Sequence, residues 1–369
     1  MFMRLLAFIL NLFSAIAHTL TTNRRWLRIA LTLIVIALSV HAIRPVAAAE
    51  GRFPGLDASL RAEIGDRRMG VYVMPLDNPQ DVFAINGDVQ VPSASAWKGG
   101  GIVYFFEHVN PVIVNSVPVE YWEKKNIIRV AKPYQNAWYQ YNAILHDAYI
   151  TAVFSGNGDG GDLLLYVYTL IKPTPQNPIV AYNDWSLSVG MTPESGMRQW
   201  MAGATDHPSY VDPRYDHRLF FPADGSNPPQ YNYYNVTYSA RDFANYFYHL
   251  ATVGKQKGYY DKAVELLSIR NQVVSLIEAC PLTALGTGLI TATKDGYFRP
   301  DSPDSHGHDV DNDAGLLIFP DGATYVVAFA AFDSHDVAVD VVCKTIQAIV
   351  DDHKLHPSRN PQIDARLTF

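Results

Sequence analysis

Strand-like segments occupy both ends of this chain and helical periodicity fills the stretch between them, and that order restricts the fold more than any other feature of the sequence. Near the start, RMGVYVMPL and DVFAINGD, around residues 68–75 and 81–88, read as two short strands joined by the turn-rich DNPQ. Near the end come GLITATKDGYF, AGLLIF and ATYVVAFAAF, the last two joined by a turn at Pro320, Asp321 and Gly322. The chain closes with a helical pattern in which Ala338, Val341, Val342, Thr345 and Ile349 share one face. Strands segregated from helices in this way predict an α+β protein, with an antiparallel sheet built from both chain ends and a helical lobe, about residues 95–285, between them.

Within the lobe, AWYQYNAILHDAYITAVF predicts a helix in which Trp138, Tyr141, Ile144, Ala148 and Ala152 recur at helical spacing, ending at SGNGDGG. A further helix should start at Ser239, with Asp242 completing a capping box and Phe243, Phe247 and Leu250 forming its apolar stripe. Another is expected over roughly 260–279. Residues 202–236, rich in Pro, Tyr, Asn and Asp, show little periodicity and read as an irregular insertion.

The first 49 residues differ from the rest: they hold five arginines and no acid, and IALTLIVIALSV is an uninterrupted apolar run. Positive charge before the run and Ala47, Ala48 and Ala49 after it read as an export signal with a cleavage site, and the earlier segment LLAFILNLFSAIA keeps an uncleaved membrane anchor as the alternative. The expected location is outside the cytoplasm, with membrane contact only through this segment if it is retained. Beyond residue 49, 24 basic side chains face 36 acidic ones, a formal charge of −12, which argues against a nucleic-acid partner. Residues 50–369 are enough to bury one large core without staples. The two cysteines, Cys280 and Cys343, read equally as one disulfide or as two buried thiols; a bond would tie the segment before the KDG strand to the closing helix.

Chemistry concentrates in VPSASAWKGGGIVYFF, residues 91–106. If this stretch is helical, Ser95 and Lys98 lie on one face, and a lysine in a poorly solvated place can accept the proton that makes a serine hydroxyl nucleophilic. The residues after Lys98 leave almost nothing polar to place in water, so the helix should be buried, and its glycines should mark the close approach of another element.

Two more small motifs follow, Ser155-Gly156-Asn157 at the end of the predicted middle helix and Lys294-Asp295-Gly296 in a predicted strand. In order and placement, SAWK, SGN and KDG resemble the S-x-x-K, S-D-N and K-T-G motifs of class A β-lactamases and related penicillin-recognising serine enzymes. FAINGDVQVPSAS resembles that family's lead-in to its nucleophile, GDLLL its helix restart, and NDAGLLIFPDGATYVVAF its closing hairpin, so the likeness spans most of residues 65–350.

The resemblance implies a serine hydrolase cleaving a β-lactam, cell-wall peptide or ester through a Ser95 acyl-enzyme, with a small-molecule or peptide acyl donor and no cofactor. Ser95 would be the nucleophile, Lys98 its base and Ser155 a proton relay to the leaving group. Asn157 would bind Lys98 and the substrate amide, Lys294 an anionic group, and the N–H groups of Ser95 and Tyr297 the oxyanion. Gly156 stands where the family has an acid, and Asp295 where it has a threonine, which partly cancels the charge of Lys294. In VGMTPESGMRQWMAGATD, which resembles the approach to the loop carrying the family's hydrolytic glutamate, Trp200 is followed by Met201, and Glu194 lies in a TPESG turn, so poor deacylation is expected. The alternative function is a lapsed site on the same fold, serving as a binding or envelope-structural module.

The stretch HGHDVDNDAG, residues 306–315, spaces Asp309, Asp311 and Asp313 as calcium loops do, but Ala314 and Pro320 break that pattern, and it reads as a solvated hairpin loop with His306 and His308 as possible substrate contacts and no metal.

Overall fold

In this computed structural model the described residues are 52–357, without 116, 124–143, 172–176, 200–209, 216–217, 221–230, 234, 270–274, 282–287 and 302–306. The chain divides into two compact units, Met1–Gly51, which lies outside the described residues together with the expected export signal, and Arg52–Phe369. Among the described residues no helix is long and apolar enough to cross a membrane.

From the start of the second unit, leaving aside short helical turns such as Pro111–Asn115 and Lys255–Lys257, the elements are α1 (Leu56–Ile64), β1 (Arg68–Pro75), β2 (Phe83–Ile85), β3 (Val91–Pro92), α2 (Trp97–His108), α3 (Asn157–Ile171) and α4 (Pro178–Ser188). They are followed by β4 (Gly196–Met197), β5 (Arg218–Phe220), β6 (Tyr231–Tyr233), β7 (Val236–Tyr238), α5 (Ala240–His249), α6 (Tyr260–Leu267) and α7 (Leu276–Ala279). The last four are β8 (Ile290–Phe298), β9 (Val310–Ile318), β10 (Thr324–Phe332) and α8 (His335–Leu355).

The expected sheet is present. Its order is β2-β1-β10-β9-β8, with antiparallel pairing throughout, so strands from the start of the folded unit join those from its end. Both faces are covered, which is why β10 reads as a continuous apolar run and not as an alternation. Val326, Ala328, Ala330 and Phe332 face the helical lobe, while Tyr325, Val327, Phe329 and Ala331 face α1, α7 and α8. β1 divides in the same way, Tyr72 and Met74 toward the lobe and Met69, Val71 and Val73 toward the back. On that back face a disulfide joins Cys280, just past α7, to Cys343 in α8, closing a separation of 63 residues.

α2 runs through the lobe with ten of its twelve residues buried, as its all-round apolarity demands. The glycines inside it admit neighbours: a Cβ at Gly100 would lie 2.4 Å from the Tyr246 ring and 2.6 Å from the Tyr182 hydroxyl. α5 starts with the expected capping box between Ser239 and Asp242. Asp242 also accepts from Thr192 and Ser195, fastening the turn that carries Glu194 to the start of α5.

Several sequence expectations are corrected. Helical structure in the middle segment is described from residue 144 and ends in a π turn, Ile150–Phe154; residues 138–143 of the expected helix lie outside the described residues. The helix expected over 260–279 is two short ones, α6 and α7, with residues 270–274 outside the described set. The insertion at 202–236 is not wholly irregular, because β5 and β6 pair within it. Most of the acidic stretch expected to be a solvated loop is strand, with only 307–309 of its described residues ahead of it. Residues 310–318 form β9, every one of them buried, and Asp311 and Asp313 are 5% and 0% exposed. Its polar residues masked a central strand because their partners come from other elements: Asn312 donates to Pro92 O, Asp313 accepts from Ile277 N–H, and Asp311 pairs with His335. His308 pairs with Asp333, and His306 lies outside the described residues.

Candidate active site

The turn before α2 carries Ser95. Ala94 holds a positive φ of 45°, and the helix begins at Trp97, so Ser95 is a half-buried residue of the turn before the helix, while Lys98 lies within it. Lys98, in the first turn of α2, is fully buried. Its Nζ lies 2.7 Å from Ser95 Oγ, 2.7 Å from the backbone oxygen of Ser155, 2.6 Å from Asn157 Oδ1 and 3.3 Å from Ser155 Oγ. Two of the three motifs singled out in the sequence therefore converge on one nitrogen.

The SGN loop has the shape this requires. The π turn ends at Ser155, whose backbone is left-handed at φ 58°, and Gly156 N–H closes the turn onto Ile150 O. Asn157 opens α3 immediately afterwards. Gly160, a turn further on, lets α3 approach the lysine: a Cβ there would lie 3.6 Å from Lys98 Cε and 3.3 Å from the Trp97 ring.

β8 brings the third motif. Lys294 is 1% exposed, and its Nζ donates to Asp295 Oδ1 at 2.9 Å and to Asp295 O at 3.0 Å. Gly99 of α2 gives Lys294 room, since a Cβ there would stand 3.2 Å from Lys294 Cβ and 3.2 Å from the Phe247 ring. Gly296 presses the strand against the turn that carries Ser95. Tyr297, next along, is 42% exposed at the rim.

Electrostatics follow from this packing. Burial pushes the Lys98 ammonium well below the ordinary lysine value, and the positive charge of Lys294 pushes it the same way; the carboxylates of Asp295 and Asp159 oppose the shift without reversing it. The chemical consequence lies in the acceptors. The Ser155 and Asn157 oxygens are carbonyls and can only accept, so two Lys98 N–H bonds are committed to them. The remaining tetrahedral position faces Ser95 Oγ: it holds a proton when the amine is charged and a lone pair when it is neutral.

Asp159 is the residue that sequence reading missed. It lies inside GDGGDLLL, read only as a helix restart; the available signal was a carboxylate three positions after a glycine that replaces an acid. Glu194 is exposed in its turn, and Trp200 and Met201 lie outside the described residues. Among the described residues no group of three or more His, Cys, Asp or Glu side chains is placed to hold a metal.

The fold is that of the class A β-lactamases. A class A β-lactamase from Bacteroides cellulosilyticus DSM 14838 matches with a TM-score of 0.51 at 14% identity, over 82% of this chain and 99% of that one. The β-lactamase of Sphaerobacter thermophilus DSM 20745 matches at 0.50 and 16% identity over 82% and 98%, and a point variant of the TLA-1 extended-spectrum β-lactamase at 0.50 and 14% over 80% and 97%. No protein-family model matches the chain, and no curated protein matches it in sequence.

Proposed function

We propose that this protein is an exported serine hydrolase that opens an amide or ester through an acyl-enzyme on Ser95. The observation that carries the reading is the placement of Lys98 Nζ, buried, held by two carbonyl oxygens and 2.7 Å from Ser95 Oγ. The neutral amine takes the Ser95 proton as Oγ attacks the substrate carbonyl. The N–H groups of Ser95 and Tyr297, on the two segments that Gly296 brings together, receive the oxyanion, and each such donor is worth about 3 kcal/mol to the transition state. Ser155, within reach of Lys98, passes the proton on to the leaving nitrogen or oxygen. Asn157 orients Lys98 and offers its amide to the acyl side chain.

Lys294 would attract an anionic substrate group, but Asp295 already pairs with it, so neutral acyl donors suit the site better than a penicillin carboxylate. Hydrolysis of the ester needs a base for water. Glu194 is exposed in a turn fastened elsewhere, and the Trp200-Met201 pair offers an indole and a thioether. Deacylation of β-lactams should therefore be slow, with a chromogenic β-lactam giving at most one equivalent in a burst.

The test is mass spectrometry of the mature protein after incubation with a labelled penicillin and, separately, with an activated ester. An adduct on the peptide carrying Ser95, absent from Ser95→Ala, is the expected result. An adduct retained in that variant removes Ser95 from the role. No adduct from either probe favours the lapsed binding module.

A further inference from the structure

Gly156 has no side chain, yet the space beside it is filled. A Cβ built on Gly156 would stand 2.1 Å from Asp159 Oδ2, 3.0 Å from Asp159 Cγ and 2.8 Å from Ile150 Cγ2. The carboxylate of Asp159 thus folds back over the loop, into the volume that a side chain at position 156 would take. We propose that Asp159 is a positioning residue of this site: it holds the Ser155–Asn157 loop in shape from within α3 and supplies negative charge toward Lys98.

Three observations support this assignment. Asp159 lies in the first turn of α3, where the unpaired N–H groups of a helix favour a carboxylate. The turn from Gly156 to Gly160 is closed by Gly160 N–H donating to Gly156 O at 3.2 Å, and Gly160, next to Asp159, packs on the Lys98 stem. The charged groups that act on Lys98 are Lys294 and Asp295 from β8 and Asp159 from α3. Asp295 is bonded to Lys294, whereas Asp159 follows by two residues Asn157, whose Oδ1 accepts from Lys98.

The mechanism is electrostatic and steric together. The oxygens of Ser155 and Asn157 define where the Lys98 lone pair points, and they keep that aim only while the loop keeps its curvature. A carboxylate at 159 fills the hollow under Gly156, and its charge keeps the buried amine from becoming too weak a base. The idea rests on Lys98 acting as base only for its catalytic consequence, and its electrostatic part stands independently of acylation.

The experiment reads Lys98 directly. With lysine labelled at the ε-carbon, the NMR titration of Lys98, assigned by its loss in Lys98→Met, is compared in the native protein, in Asp159→Asn and in the swap Gly156→Asp/Asp159→Ala. Removing the charge in the near-isosteric Asp159→Asn should lower the midpoint by about half a pH unit or more, and returning a carboxylate at 156 should restore most of it. Where Ser95 acylation by an activated ester is measurable, its acid limb should move to lower pH in Asp159→Asn, its plateau should fall by about tenfold, and the swap should recover both. A Lys98 midpoint in Asp159→Asn equal to the native one overturns the proposal, and so does a fallen midpoint that the swap leaves unrecovered. Absence of acylation in the native protein would count against the hydrolase reading alone, because the titration still decides the role of Asp159.

Discussion

Gly296 lies so close to the turn that carries Ser95 that a Cβ on it would stand 2.2 Å from the backbone nitrogen of Ala96, with Ser95 N at 2.6 Å and Ser93 O at 2.7 Å. These neighbours are backbone atoms, which no rotamer change can move aside. Gly296→Ala should push β8 away from the turn and, through the displaced Tyr297 N–H and Lys294, reduce acylation by about 100-fold, with overpacking costing about 1–3 kcal/mol of stability. Acylation kinetics and urea unfolding measure the two effects. Native acylation in this variant would show that the approach of β8 has no part in the reaction.

Loss of the buried amine should be harsher. Lys98→Met should slow acylation by at least about 100-fold, the scale of a positioned proton acceptor. In the native protein the rate should rise with pH through a limb far below the ordinary lysine range, because burial and Lys294 hold the amine neutral there. An acid limb near pH 10, or one that persists in Lys98→Met, would remove Lys98 from the role of base.

The Lys294–Asp295 pair sets up a test of charge selection. Asp295→Asn should release the Lys294 charge and improve carboxylate-bearing acyl donors by about tenfold relative to neutral esters. Lys294→Ala should weaken the carboxylate-bearing donors more than the neutral ones. Equal effects on the two classes, compared through second-order acylation constants, would show that Lys294 does not read an anion.

Asp313 links stability to pH. It is fully buried on β9, with Oδ2 accepting from Ile277 N–H at 2.9 Å, and burial, opposed by that N–H and aided by the charge of Asp295, pushes its carboxyl up to about 7. The folded protein therefore retains a proton that the unfolded chain releases near pH 4, so stability falls as pH rises from about 4 through about 7 and then levels. The neutral Asp313→Asn should remove this loss and exceed the native protein by up to about 4 kcal/mol at pH 8, with little difference at pH 4. Urea unfolding across that range checks it, and an equally steep pH dependence in the variant would contradict it.

Much of this architecture is written in local patterns. Short, mostly apolar runs bounded by turn residues mark β1 and β10, which are covered on both faces, 3.6-residue periodicity marks α5 and α8, and the capping pair Ser239–Asp242 marks where α5 begins. The apolar surround of Lys98 likewise announced a buried helix. The acidic β9 was not legible, because the partners of its polar side chains, Pro92, Ile277 and His335, come from three other parts of the chain. The same limit applies to the site. Sequence supplied the residue types and the order of Ser95, Lys98, Ser155, Asn157, Lys294 and Gly296, while only packing placed four acceptor atoms around one nitrogen, removed water from it and set Lys294 beside it. The contact of Asp159 with Gly156 spans only three residues, but how far the Lys98 charge is desolvated and which charges face it are tertiary facts: a residue's identity specifies which groups it carries, while burial and partners such as Lys294 and Asp295 come from segments distant along the chain.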